Sequence, residues 1–241
     1  MNPIYGYFYE KQPTSINSVL PRYDNGYFVT FLNPYSAEMA KDHLYLYEKA
    51  DYICSDGILP ILINKLCKKN RTQRISFDMT SLAPIIFSKL SNDQQSVYFI
   101  GSTTENIEAF IRNIMTEYPQ LMISGFNNGY LTDDDKIRVY DDILCKKPST
   151  IVIGMGTPLQ DKLAYDIRRI GYDGNIYTCG GFFHQTANSA QYYPKCIDRL
   201  NLRWLYRMYK EKYVLKRVLL YYPIFIVRYL IYLIFIQGRH A

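Results

Sequence analysis

The chain has 241 residues, 48% of them hydrophobic and 16% aromatic, and a formal net charge of +6. That is apolar material for one sizeable core plus an appendage, which excludes two full domains. From Lys195 to Ala241 ten Lys/Arg stand against Asp198 and Glu211, a net +8 that leaves residues 1–194 at −2. The slightly acidic body excludes a general nucleic-acid binder, and the basic end calls for an anionic partner.

In chain order, the opening MNPIYGYFYEKQPTS has neither a basic region nor an unbroken apolar run, so no secretory signal is expected there. Strand-like runs follow at 27–31 (YFVTF), 51–54 (DYIC), 97–101 (VYFIG), 121–125 (LMISG), 150–154 (TIVIG) and 175–179 (NIYTC). Helical periodicity fills 36–49, 58–68, 79–90, 103–117, 132–145 and 157–169. This alternation predicts an α/β fold: a Rossmann-like, mostly parallel sheet with helices on both faces, spanning residues 1–194. Residues 195–241 read as a basic, aromatic, helical appendage. Within it Val218–Ile236 is long enough to span a bilayer, but Arg228 near its middle and its tyrosines favour a helix lying on the membrane surface. Arg199, Arg203 and Arg207 recur every four residues, on one stripe of a helix.

In a parallel sheet ligands bind beyond the carboxyl ends of the strands, so the strand-to-helix turns carry the chemistry. TIVIG runs into Gly154-x-Gly156-x-Pro158-x-Gln160, where glycines let a phosphate approach the backbone, Thr157 can cap, Pro158 suits a first helical turn and Gln160 faces a ligand. DYIC ends in Ser55-Asp56-Gly57, which presents a carboxylate suited to a general base. Asn33 follows the first strand in the same way, and Arg74 and Asp78 are expected at the same edge. Ordinary caps and a surface ion pair would use the same residues. The acids of GYLTDDDK (129–136) fall where a helix begins and read as first-turn residues rather than metal ligands. His43, His184 and His240 lack ligand spacing with one another or with the five cysteines, so no metal is expected. Those cysteines form no Cys-x-x-Cys pair, and their odd number argues against a disulfide framework.

Two other classes compete. A strand-Gly-x-Gly-helix turn also suits a nicotinamide-dependent oxidoreductase, but the third glycine and an acid ending the next strand are missing. A non-enzymatic membrane-surface module accounts for the tail and leaves Asn33, Asp56 and Gln160 without a role.

In order, VTFLNPYSAEMA, ADYICSDG, RISFDM, VYFIGS, YPQLMISGFNNGYL, VIGMGTPLQD, GGFFHQTANSAQYYP and LNLRWLYRM followed by Lys216-Arg217 resemble the WecG/TagA/CpsF family of bacterial glycosyltransferases, glycosyltransferase family 26. The similarity covers roughly residues 27–225. It implies inverting, metal-independent transfer of a hexose or N-acetylhexosamine from a UDP-sugar to a polyprenyl-diphosphate-linked sugar, without a cofactor. The polymers served would be of the capsule, exopolysaccharide or teichoic acid type. The enzyme would be cytoplasmic and peripheral on the inner face of the cell membrane, with a homo-oligomer left open. By the resemblance Asp56 is the catalytic base, with Arg74 and Gln160 beside it. Substrate contacts fall on Thr30, Asn33, Gly57, Gly101, Gly154, Gly156, Thr157, Pro158 and His184, on Tyr130 against the uracil, and on Arg207 and Arg217 over the diphosphate. Two positions depart from the family pattern. Thr30 stands one step out of the usual Thr-x-Asn, since Phe31 occupies that place, and His184 replaces an Asp.

Overall fold

The computed structural model describes residues 3–66, 73–188, 208 and 212–239. Six strands, β1 (Phe28–Leu32), β2 (Tyr52–Ser55), β3 (Ser96–Gly101), β4 (Met122–Asn127), β5 (Thr150–Gly154) and β6 (Asn175–Thr178), form one parallel sheet in the order β2-β1-β6-β5-β3-β4. The expected strands are all present. Their near-continuous apolar runs are what a sheet covered on both faces requires.

The helices are α1 (Ile4–Glu10), α2 (Pro34–Ala40), α3 (Leu44–Glu48), α4 (Ile58–Leu66), α5 (Leu82–Asn92), α6 (Thr104–Glu117), α7 (Asp133–Lys146), α8 (Leu159–Arg169), α9 (Phe182–Asn188) and α10 (Lys212–Arg239). Alternation along the strands sends Phe28, Leu32, Ile100, Ile151, Ile153 and Ile176 to a core shared with α1, α2, α3, α7, α8 and α10. Val29, Phe31, Val97, Phe99, Val152 and Tyr177 face the other layer, where α5, α6 and α9 pack.

The differences from expectation have local causes. The single helix expected over 36–49 is divided into α2 and α3. Helix α5 starts at Leu82 rather than near 79 because Asp78 folds the chain into an Asx turn, its Oδ1 accepting from Thr80 N (2.9 Å) and Thr80 Oγ1 (2.6 Å). The acids 133–135 open α7 as expected, inside a capping box in which Thr132 Oγ1 accepts from Asp135 N and Asp135 Oδ2 accepts from Thr132 N. Helix α1 was not expected. It forms because Tyr5 and Phe8 have partners at the other end of the chain, with the Phe8 ring 5.8 Å from both Phe225 and Tyr229.

The boundary expected at residue 194 lies outside the described residues, as do Arg199, Arg203 and Arg207. Helix α10 beyond it is built into the core: Phe225, Tyr229 and Leu233, spaced by four, are fully buried against α1 and α2. Tyr229 OH donates to the buried Asn64 Oδ1 of α4 (2.8 Å). Arg228 bonds Glu38 Oε2 of α2, and Tyr5 OH bonds the other carboxylate oxygen. The opposite face of α10 is apolar and exposed, from Leu219 and Leu220 through Val227 to Ile234 and Phe235. By length and composition Val214–Phe235 could cross a membrane.

Candidate active site

Four neighbouring strands, β2, β1, β6 and β5, end at one cavity of about 840 Å³. Their following turns supply Asp56 and Gly57, then Asn33, then Gly180 and Gly181, then Gly156, Thr157 and Gln160. Arg74, Ser76 and Asp78 come in from the segment before α5, and Arg217 from α10.

Asn33 is the N-cap of α2: its Oδ1 accepts from Ser36 N (3.0 Å), while Ser36 Oγ accepts from Asn33 N (2.7 Å). The cap uses the oxygen, so the Asn33 amide NH₂ is the part that can serve a ligand. Asp56 follows directly on β2, and its N–H donates to Leu32 O of β1 (2.9 Å), which places the residue level with Asn33 across the strand pair. Arg74 Nη2 donates to Ser76 Oγ (2.7 Å) and lies 3.7 Å from Asp78 Oδ2. The expected ion pair exists, in the cavity wall with both side chains largely buried.

Gln160 is 2% exposed. Its Oε1 accepts from Gly156 N (3.2 Å) and Gly180 N (3.0 Å), so it ties together the turns after β5 and β6. Both glycines have positive φ, +78° and +57°, which is what turns their N–H groups inward. Gln160 therefore closes the loop from within, at the cavity wall. The cap expected of Thr157 is not made. Pro158 occupies the N-cap position itself, rather than the first helical turn, with no side-chain bond. The start of α8 nevertheless points at the cavity and brings the positive end of its dipole there.

Several expected contacts fall elsewhere. Thr30 is fully buried on the α8 side of β1, where its hydroxyl donates to Asp161 Oδ1 (2.5 Å) and lies 2.9 Å from Thr178 Oγ1. Gly101 and Gly154 do not line the cavity. A Cβ on Gly101 would sit 2.2 Å from Gly154 O, and one on Gly154 would meet Phe183 and Cys179, so both glycines permit close packing. His184 is exposed on α9 and its Nδ1 pairs with Asn106 Nδ2 of α6 (3.3 Å). Tyr130 is 77% exposed and follows β4, at the far edge of the sheet. It stays near the cavity through Gly129, which packs on Met155 of the wall. Arg207 lies outside the described residues. Among the described residues no three of His, Cys, Asp and Glu gather in metal-ligating geometry.

Other wall residues had no sequence signal of their own. Gly180-Gly181 end β6 just as Gly154-x-Gly156 end β5, and the shared position after a strand could have marked them. Tyr35 lies beneath Arg217, whose guanidinium sits 4.2 Å from the ring centroid. The buried Asp161, next to Gln160, accepts from Thr30 and from Tyr47 OH (3.0 Å). Burial raises its carboxyl to about 6, against the opposing hydrogen bonds from Thr30, Tyr47 and Thr157. The folded state thus holds this proton more tightly than the unfolded chain. Stability from this group is full below about pH 4, is lost as pH rises to about 6, and is level above. Urea titrations should show wild type losing up to about 3 kcal/mol relative to Asp161→Asn across that window. Parallel pH profiles for the two proteins would count against the assignment.

The chain matches the glycosyl transferase WecG/TagA/CpsF family over residues 3–239. It is 38% identical over 221 residues, 91% of this chain and 92% of the relative, to a Shigella boydii protein named UDP-Gal:alpha-D-GlcNAc-diphosphoundecaprenol beta-1,4-galactosyltransferase. It is 24% identical over 202 residues, 80% of this chain and 75% of the relative, to a Bacillus subtilis N-acetylglucosaminyldiphosphoundecaprenol N-acetyl-beta-D-mannosaminyltransferase. A Staphylococcus aureus protein of that second name is 26% identical over 186 residues, 76% of this chain and 72% of the relative. An α/β sheet whose strand ends bring polar and charged groups to one side of a single cavity is a frame for group transfer. The chain belongs to the WecG/TagA/CpsF family and is a glycosyltransferase.

Proposed function

We propose that the enzyme transfers galactose from UDP-galactose to N-acetylglucosamine carried on undecaprenyl diphosphate, with inversion at the anomeric carbon and without a metal. The observation that carries this reading is the composition of the cavity, with Asp56, two arginines and a helix N-terminus at the strand ends and an apolar wall beside them. The Shigella boydii relative's name supports the choice of donor, acceptor and β product.

In the proposed step, Asp56 takes the proton from the acceptor hydroxyl while that oxygen bonds to the anomeric carbon. The bond from that carbon to the UDP oxygen breaks, and UDP departs with the electron pair from the opposite face. Charge developing on the UDP diphosphate is met by Arg74 and the start of α8, groups already in place before reaction. Gln160 holds the two turns that shape this end. Tyr130 stacking on the uracil would require the mouth beside Met155 to receive the base.

The exposed apolar face of α10 supports a peripheral position on the cytoplasmic side of the membrane. Its inner face is committed to the protein core, and Arg228 already has Glu38 as partner. Thermal melting with added nucleotides tests the donor class. UDP and UDP-galactose should raise Tm and NAD should not, whereas stabilisation by NAD alone would favour an oxidoreductase.

A further inference from the structure

We propose that the apolar wall between α4 and α10 is a subsite for the first isoprene units of the acceptor, which the enzyme draws out of the bilayer and holds beside the reacting sugar. This rests on the reading above and adds a second recognition element to it.

The cavity is two-sided. Its polar groups come from the strand ends, while Leu59 and Leu62 of α4 face Val214, Val218, Leu219, Tyr222, Pro223 and Ile226 of α10. The α10 positions recur at helical spacing, on one stripe that runs about 18 Å along the axis, the length of a few isoprene units. The wall is fixed in place: Tyr229 OH bonds Asn64 of α4, and Phe225 and Tyr229 anchor α10 in the core.

Arg217 stands at the junction of the two sides, over Tyr35 in the residues that follow Asn33. A lipid-linked sugar has the same sequence of chemistries: a polar sugar, an anionic diphosphate, then an apolar chain. With the sugar at Asp56 and the diphosphate at Arg217, the chain falls on the α4–α10 wall. Leu62 and Leu219 are 46% and 64% exposed, and the wall continues into Leu66, Leu220 and Ile224 on the outer surface. A long polyprenyl tail can therefore leave the subsite directly onto an apolar face.

The test uses the full chain in detergent-free solution, with UDP-galactose and two soluble acceptors, N-acetylglucosamine diphosphate esterified with farnesol or with methanol. Wild type should show kcat/KM at least tenfold higher for the farnesyl ester. In Leu62→Asn/Val218→Asn that ratio should fall below about threefold. Farnesyl diphosphate should also compete with the methyl ester far better than inorganic diphosphate does, a measurement on wild type that needs no variant. Equal kcat/KM for the two esters in wild type would remove the tail subsite and leave the transferase reading standing. An unchanged ratio in the variant would remove it equally. Equal ratios in a chain that sediments as a dimer, and as a monomer in the variant, would give the wall to a second copy instead. No transfer to either ester from any UDP-sugar would overturn the functional reading and the subsite together.

Discussion

Asp56→Asn should leave the protein folded and lower kcat by about 10²- to 10⁴-fold, the usual contribution of a positioned general base. The residue follows directly on β2, and its backbone N–H bonds Leu32 O. Asn preserves both that bond and the side-chain volume. Only the ability to accept a proton is lost, so Tm and the KM for the UDP-sugar should stay close to wild type. Arg74→Ala removes charge stabilisation from the same cavity without touching the base. It should lower kcat as well, and the contrast lies in the KM for the UDP-sugar, which rises in the Arg74 variant and stays close to wild type in the Asp56 variant. Transfer by Asp56→Asn at the wild-type rate would take Asp56 out of the chemistry.

A large effect on stability is expected at Arg228→Ala. Glu38, with 2% of its side chain exposed, is held by Tyr5 OH and Arg228, and Lys41 Nζ is 3.9 Å away. Burial and the neighbouring Glu38 push the Tyr5 phenol above its usual range, so it remains a neutral donor and cannot replace the lost positive charge. Removing one member of such a pair leaves a buried carboxylate undercompensated. Because the guanidinium is 46% exposed, the expected loss is at the low end for buried pairs, about 2–3 kcal/mol, or roughly 4–12 °C in Tm for a chain of this size. Replacing both partners, as in Glu38→Gln/Arg228→Leu, should recover most of it. Urea melts read the difference directly. An unchanged Tm in Arg228→Ala would mean that the pair does not hold α10 on the core. The consequence for function is indirect, since α10 carries Arg217 and the apolar wall.

The strands and the turns that follow them were legible because each rests on local rules. Apolar runs of strand length separated by helical periodicity led to an α/β sheet, and the rule that ligands sit beyond strand ends singled out Asn33, Asp56 and Gln160. Strand order was not legible. It places β2, β1, β6 and β5 side by side around the cavity and sends β3 and β4 to the far side, which is why neither Gly101 nor Tyr130 lines it. Glycines at strand ends have two uses that a sequence does not separate. Gly156 turns an N–H inward, whereas Gly101 and Gly154 allow two backbones to meet. Thr30 and Asp161 lie 131 positions apart, and their bond follows only from the register of β1 against β6 and the packing of α8. The N-terminal helix was hidden for the same reason. Its aromatic residues are stabilised by Phe225 and Tyr229 at the opposite end of the chain.

The most direct test is transfer itself. Purified protein, undecaprenyl-diphosphate-linked N-acetylglucosamine in vesicles and a panel of UDP-sugars should yield one lipid-linked disaccharide, from UDP-galactose, with a β linkage and undiminished in EDTA. A panel that yields no lipid-linked disaccharide from any UDP-sugar, with the same acceptor consumed by a related transferase in parallel, would contradict the account.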